Sequence, residues 1–178
     1  MLRSLANHDK TDKDTCHSYM DVYEELFIPI KDTVQNVLEI GILNGGSIEL
    51  WSKVFPQATI YGLDSETPNF EFEGKNIIKY IYDAYNVEWI NKTFENIKFD
   101  ILIDDGPHSL QSMCIFASQY SKYIAPNGYL IIEDIQDINW CPYIINCLPP
   151  HLKEKAKVLD RRHIKNRYDD IMIVVHNI

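Results

Sequence analysis

The sequence predicts an α/β fold in which a mostly parallel, doubly wound sheet of seven strands carries helices on both faces. Two observations support this class. Short runs of branched apolar residues alternate with longer amphipathic segments, which are typical of buried strands and of helices that pack on them. The order strand, helix, strand repeats along the chain, and this order builds a parallel sheet that is covered on both sides.

Each element follows from a local pattern. The first strand, residues 37–40, ends at Gly41, and the helix after it, residues 47–55, stops at Pro56. Further strands are predicted over residues 59–64, 77–81, 101–103, 129–133, 157–160 and 171–176, and further helices over 87–97 and 109–123. A segment that prolines interrupt spans residues 140–152. We expect residues 1–30 to form a helical arm that could close as a lid, and residues 31–178 to form the main domain.

Composition and charge argue against two kinds of partner. No window stays apolar for the roughly 18 residues that a membrane span requires, and no secretory signal is recognisable. The formal net charge of −9 argues against nucleic acid, because binding a polyphosphate backbone needs a basic face. The four cysteines lack metal-ligand spacing and are interpreted as reduced thiols. We therefore expect a soluble, cytoplasmic protein without membrane or nucleic-acid partners.

A glycine-rich loop follows the first strand, and its residues limit the ligands that it can bind. The candidate cofactor-binding residues here are Glu39, Gly41, Asn44, Gly46 and Ser47. The spacing is not the Gly-x-Gly-x-x-Gly of dinucleotide binders, nor does the loop contain the Lys-Ser/Thr pair of a phosphate-binding loop. A glutamate so close to the glycines would repel a pyrophosphate. The loop therefore favours a ligand with a cationic end and no phosphate, although an ordinary strand-to-helix turn is the alternative.

Single acids follow the second and third strands. Asp64 could accept hydrogen bonds from both hydroxyls of a ribose, and Asp83 could accept one from an exocyclic amine. Either acid alone is more often a plain loop residue. Together with the glycine loop they predict a pocket for an adenosine that carries a positively charged amino-acid tail.

Two adjacent carboxylates, Asp104 and Asp105, end the fourth strand and repel each other. They could cap the next helix and face water, with Ser109 as a further cap, or they could bind a cation. The cap does not explain a second acidic pair, Glu133 and Asp134, after the fifth strand. Carboxylates at neighbouring strand ends suit a hard divalent cation.

These motifs resemble a known class of enzyme over nearly the whole chain. The order of glycine loop, Asp64 and acidic pair is similar to that of the class I S-adenosylmethionine-dependent methyltransferases, which have a Rossmann-like fold. Three further motifs resemble those of the metal-dependent macrolide sugar O-methyltransferases of the mycinamicin and macrocin types. They are Lys10-Thr11-Asp12-Lys13 with His17-Ser18-Tyr19, then Asn44-Gly45-Gly46-Ser47-Ile48-Glu49-Leu50-Trp51, and finally Ile103-Asp104-Asp105-Gly106-Pro107-His108 with Ile132-Glu133-Asp134-Ile135.

The resemblance implies a role for each acidic residue. Asp105 and Asp134 would bind a divalent cation, usually Mg²⁺, with Glu133 as a third ligand, and His108 would be the catalytic base. Asp104 would then line the cofactor side of the pocket. Two departures matter: Pro107 stands where serine is more usual, and the macrolide enzymes are larger, so little of this chain remains for an acceptor domain.

The resemblance thus implies methyl transfer from S-adenosylmethionine to a hydroxyl of a sugar, with a small-molecule acceptor. A basic segment, residues 161–167, makes a nucleotide-linked sugar a plausible acceptor, although a solvated loop is the simpler interpretation. The alternatives are a catechol-type O-methyltransferase and a cofactor-binding module without catalysis. The aromatic arm suggests a homo-oligomer, and His17 could contact substrate or pack the arm.

Overall fold

The computed structural model describes residues 2–67 and 74–178. Seven strands form one sheet: β1 Asn36–Ile40, β2 Thr59–Asp64, β3 Ile77–Ile81, β4 Phe99–Asp104, β5 Ile124–Ile132, β6 Ala156–Asp160 and β7 Ile171–His176. Their order is β3-β2-β1-β4-β5-β7-β6. The first five strands are parallel, whereas β7 is antiparallel to both β5 and β6. The predicted fold class, Rossmann-like and mostly parallel, is confirmed.

The helices are α1 Met20–Phe27, α2 Gly46–Val54, α3 Val87–Phe94, α4 Leu110–Tyr120, α5 Cys141–Cys147, α6 Pro150–Lys153 and α7 Arg162–Lys165. Two predicted boundaries shift, because α3 ends three residues early and a 3-10 helix, Ser121–Tyr123, completes the segment after α4. The proline-interrupted segment, for which the sequence predicted no element, contains the two short helices α5 and α6. A proline lies in the first turn of both α5 and α6, where its missing N–H costs no helical hydrogen bond.

Alternation along the strands separates the core into two layers, one on each face of the sheet. Val37 and Ile101 pack with the buried residues of α1 and α2. Leu38 and Leu102, their neighbours in sequence, pack with those of α3, α4 and α5. Because successive side chains of a strand point to opposite faces, this division shows that helices cover both sides of the sheet.

The N-terminal arm is part of the first of these layers. Tyr23 and Phe27 are buried, and their ring centroids lie 5.0 and 5.4 Å from that of Trp51 in α2. These aromatic side chains therefore pack inside the chain and do not supply the exposed surface on which the prediction of a homo-oligomer rested. The idea that the arm moves as a lid stays a prediction.

In the part of the chain that the structure describes, no helix has both the length and the apolar composition needed to cross a membrane.

Candidate active site

A cavity of about 990 Å³ lies beyond the carboxyl ends of the parallel strands, the position at which open α/β sheets bind ligands. Its walls contain most of the predicted site residues: Gly41, Asn44, Ser47, Asp64, Asp83, Asp105, His108 and Asp134. Residues of the arm, from His8 to Asp12 and Thr15, line the same cavity. The arm therefore covers the site.

Asp64 is held by the glycine loop. Its Oδ2 accepts hydrogen bonds from the backbone N–H of Ile42, at 2.8 Å, and of Leu43, at 3.3 Å, while Oδ1 accepts one from Glu66. Asp83 is exposed and accepts a hydrogen bond from the Tyr85 backbone N–H at 2.9 Å. Both carboxylates are thus fixed in orientation at the rim of the cavity, where the sequence predicts contacts to a nucleoside.

Two glycines of the loop serve the close approach of backbone segments. Gly41 has a φ of +91°, and a Cβ on it would lie 2.0 Å from the carbonyl oxygen of Asp105. A Cβ on Gly46 would lie 2.5 Å from the carbonyl carbon of Lys10 in the arm. Gly46, at the start of α2, does not line the cavity, so its described contacts are with the arm rather than with ligand space.

Glu39 and Glu133 lie beneath the cavity, where they form a buried charge cluster with Lys13. Both glutamates are completely buried and neither lines the cavity. The Lys13 ammonium lies 3.2 Å from Glu39 Oε1 and donates hydrogen bonds to Glu133 Oε2 and, at 2.6 Å, to Asp105 Oδ2. Glu39 also accepts a hydrogen bond from Trp51 Nε1 at 2.7 Å. The negative charge of Glu39, which was predicted to favour a cationic ligand, is therefore paired with Lys13.

Asp104 also faces the interior. It is 3% exposed, does not line the cavity, and accepts a hydrogen bond from the Tyr85 hydroxyl at 2.9 Å. Burial raises the pKa of Asp104 to about 7. Because Tyr85 lines the cavity, Asp104 supports the cavity wall through this hydrogen bond.

Asp105, His108 and Asp134 lie together at the cavity surface. One ligand atom from each lies within 4.8 Å of the others. His108 Nε2 is 3.9 Å from Asp105 Oδ1 and 3.7 Å from Asp134 Oδ2. Burial, and then the charge of Asp105, raises the pKa of Asp134 to about 8. The ionised form of this carboxylate is therefore destabilised, and a bound divalent cation would stabilise it.

The backbone at two of these residues is unusual. His108 has a φ of +54° and Asp134 a φ of +52°, in the left-handed region that non-glycine residues rarely adopt. Asp134 is further fixed by the arm, because its Oδ1 accepts a hydrogen bond from the Tyr19 hydroxyl at 2.6 Å and lies 3.1 Å from His17 Nδ1. His17 is 2% exposed and does not line the cavity, so its described contacts pack the arm onto Asp134.

The basic segment 161–167 holds the arm in place. The Arg161 guanidinium donates to the Ser18 carbonyl oxygen at 2.9 Å and to Asp21 at 2.7 Å, and Lys165 donates to the carbonyl oxygens of Asp14 and Thr15. Arg162 pairs with Asp160 and Arg167 with Asp169. The segment is thus neither a simple solvated loop nor an open anion site.

Replacing Arg161 with alanine should loosen the arm. Because the side chain bonds both Ser18 and Asp21, we expect hydrogen exchange of the backbone amides in residues 8–19 to become faster, by about tenfold for a loss of about 1.4 kcal/mol. Hydrogen–deuterium exchange with mass spectrometry measures this. Arg162→Ala is the matched control, since Arg162 pairs with Asp160 two residues away; equal acceleration in both variants would contradict the assignment.

Sequence comparison finds several sugar O-methyltransferases among the relatives of this chain. No protein-family model matches the chain. It is 28% identical over 148 residues to the 8-demethyl-8-alpha-L-rhamnosyl tetracenomycin-C 2'-O-methyltransferase of Streptomyces olivaceus, covering 78% of this chain and 39% of that protein. It is 29% identical over 133 residues to the mycinamicin VI 2''-O-methyltransferase of Micromonospora griseorubida, covering 70% and 33%. The chain therefore spans less than two fifths of the length of these two curated relatives.

Solved structures agree with the sequence comparison. The mycinamicin methyltransferase MycE, in complex with Mg, S-adenosylhomocysteine and mycinamycin VI, superposes with a TM-score of 0.69 at 27% identity, over 75% of this chain and 38% of that one. A second crystal form of MycE with Mg and S-adenosylhomocysteine gives a TM-score of 0.78 at 22% identity, over 99% and 53%. The chain has the class I S-adenosylmethionine-dependent methyltransferase fold. Within that class, it resembles the macrolide sugar O-methyltransferases of the mycinamicin and macrocin types.

Proposed function

We propose that the protein transfers a methyl group from S-adenosylmethionine to a hydroxyl of a sugar, with one divalent cation, Mg²⁺ or a similar ion. The observation that carries this proposal is the cluster of Asp105, His108 and Asp134 at the surface of a cavity that the glycine loop also lines. The named O-methyltransferases to which the chain is similar support the same activity.

The cavity has the charge that this cofactor requires. Its lining contains seven acids, namely Asp9, Asp12, Asp64, Glu66, Asp83, Asp105 and Asp134. Among the described lining residues Lys10 is the one lysine or arginine, and it pairs with Glu49. Such a surface attracts a sulfonium and an ammonium group and repels phosphates. Gly41, Asn44, Ser47, Asp64 and Asp83 are the residues that we assign to the nucleoside and its tail, with Glu39, Gly46 and Asp104 supporting them from below.

The cation would be held by Asp105 and Asp134, whose oxygens suit Mg²⁺. Glu133, also predicted as a ligand, is bonded to Lys13 and supports this site from beneath. When bound, the cofactor would supply the methyl group and the cation would lower the pKa of a coordinated hydroxyl. Burial lowers the pKa of His108, so its imidazole is neutral and can accept the proton of that hydroxyl.

The acceptor that the site favours is a glycoside without phosphate. The arginines that could bind the diphosphate of a nucleotide-linked sugar are paired with Asp21, Asp160 and Asp169. A nucleotide-linked sugar therefore has less support than the sequence alone suggests, and it belongs in the test as a competing acceptor.

The test is turnover with a panel of acceptors. The purified chain and S-adenosylmethionine are incubated with neutral glycosides, nucleotide-linked sugars or catechols, and methylated products and S-adenosylhomocysteine are quantified by mass spectrometry. We expect turnover with a glycoside, its loss on adding a chelator and its recovery with Mg²⁺. Turnover with catechols alone would instead establish a catechol-type enzyme. Cofactor binding without turnover of any acceptor would indicate a non-catalytic module.

A further inference from the structure

Two clusters of ligand atoms adjoin each other and share one residue. Asp105, His108 and Asp134 form the cluster at the cavity surface, and Glu39, Asp105 and Glu133 form a second cluster beneath it. In each cluster, one ligand atom from every residue lies within 4.8 Å of the others. By geometry alone, the site could therefore hold two cations that share the carboxylate of Asp105.

The inner cluster already contains a cation. The Lys13 ammonium lies 3.2 Å from Glu39 Oε1, 2.6 Å from Asp105 Oδ2, and within hydrogen-bonding distance of Glu133 Oε2. Its side chain is 2% exposed, and both glutamates are fully buried. An ammonium group has three protons, and three carboxylates surround it here. The lysine reaches this position from the arm, 92 residues along the chain from Asp105 and 120 from Glu133.

The position of Lys13 also determines the orientation of Asp105. Lys13 bonds Oδ2 of that carboxylate, whereas Oδ1 is the oxygen that lies 3.9 Å from His108 Nε2. One oxygen is thus directed to the interior and the other to the surface cluster. Isolated charges cost several kcal/mol to bury, and a partner removes that cost only in good geometry. The lysine therefore stabilises an arrangement that the three carboxylates could not keep alone.

We propose that Lys13 is a positioning residue that takes the place of a second metal ion: it fills the inner cluster, directs Asp105 Oδ1 to the surface cluster, and so limits the site to one divalent cation. The inference rests on the proposed cation at Asp105 and Asp134, and it adds the reason why that cation binds singly.

The test is the number of Mn²⁺ ions that the chain binds. Equilibrium dialysis with metal analysis should give one Mn²⁺ per wild-type chain and two per Lys13→Met chain, because the variant leaves Glu39 and Glu133 without their cationic partner. Two Mn²⁺ ions bridged by Asp105 should also give the electron paramagnetic resonance spectrum of a spin-coupled pair, which a merely structural lysine would not produce. Lys153→Met, which removes a lysine that bonds Asn146 away from the cavity, is the control and should keep one ion.

Other Mn²⁺ counts would contradict either the role of Lys13 or the proposed metal site. One Mn²⁺ in both wild type and Lys13→Met would overturn the role of Lys13 and leave the proposed function intact. No Mn²⁺ in the wild type would overturn the metal in the proposed function itself. If Lys13→Met unfolds without metal, Mn²⁺ should raise its thermal midpoint more than that of the wild type, and an equal or smaller shift would overturn the inference.

Discussion

Replacing His108 with alanine should reduce the rate of methyl transfer by about 10²–10⁴-fold, the range that a positioned general base contributes. The affinity for S-adenosylmethionine should stay within a factor of about two, because the residues that we assign to the nucleoside lie on other loops. Initial rates with saturating cofactor, together with calorimetric titration of the cofactor, measure the two quantities separately.

The matched control for this variant is His151→Ala. His151 is an exposed histidine in α6 and does not line the cavity, so its replacement should change neither quantity. If His108→Ala lost turnover and cofactor affinity in equal measure, the residue would be a structural part of the pocket rather than a base.

Replacing Asp134 with asparagine should remove metal-dependent turnover while keeping the shape of the site. Replacing a residue that hydrogen-bonds a metal ligand commonly lowers the affinity for the metal by about 10–100-fold. The loss of the charge of a ligand itself should therefore weaken Mg²⁺ binding by at least about 100-fold. An amide oxygen can still accept the hydrogen bond of the Tyr19 hydroxyl, which lies 2.6 Å from Asp134 Oδ1. Turnover measured against Mg²⁺ concentration reports the loss.

The pKa of Asp134 predicts that this variant remains folded. In the fold that pKa is about 8, far above the value of about 3.9 for an exposed aspartate. The metal-free fold therefore loses stability as the pH rises between these two values, and asparagine removes that loss. We expect a thermal midpoint at pH 7.5, without metal, equal to or above that of the wild type. Asp137→Asn, at an exposed position in the same loop, is the control. If Asp134→Asn kept the Mg²⁺ dependence of the wild type, Asp134 would be excluded as a ligand.

The fold could be predicted because its strands are short apolar runs with clear ends. Leu38, Leu102 and Leu130 are completely buried within β1, β4 and β5, as their apolar neighbours indicate. The sequence pattern predicted no element over residues 140–152, where prolines interrupt it, whereas Pro142 and Pro150 lie in the first turns of two short helices. The start of β5 was also missed, because Pro126, Asn127 and Gly128 within it are typical of turns.

The site could be predicted only in part, because sequence position indicates which residues follow a strand but not which way they face. Asp105 and Asp134 line the cavity, whereas Glu39, Asp104 and Glu133, also near strand ends, point inward. Lys13 was missed as a site residue because it lies among charged residues that look exposed, and its partners are remote in sequence. The signal that could have indicated it is a lysine in a motif that accompanies several strand-end acids.

The left-handed backbone conformation of His108 and Asp134 lowers the stability of the fold at the two positions where we propose a base and a metal ligand. Glycine adopts such a conformation freely, whereas other residues lose free energy in it. A laboratory evolution experiment that rewards heat resistance alone would therefore be expected to enrich glycine at both positions. The selected proteins would be more stable but would lack the two side chains that we propose as the base and as a metal ligand. A screen for a more stable variant must therefore also select for product formation in the same round.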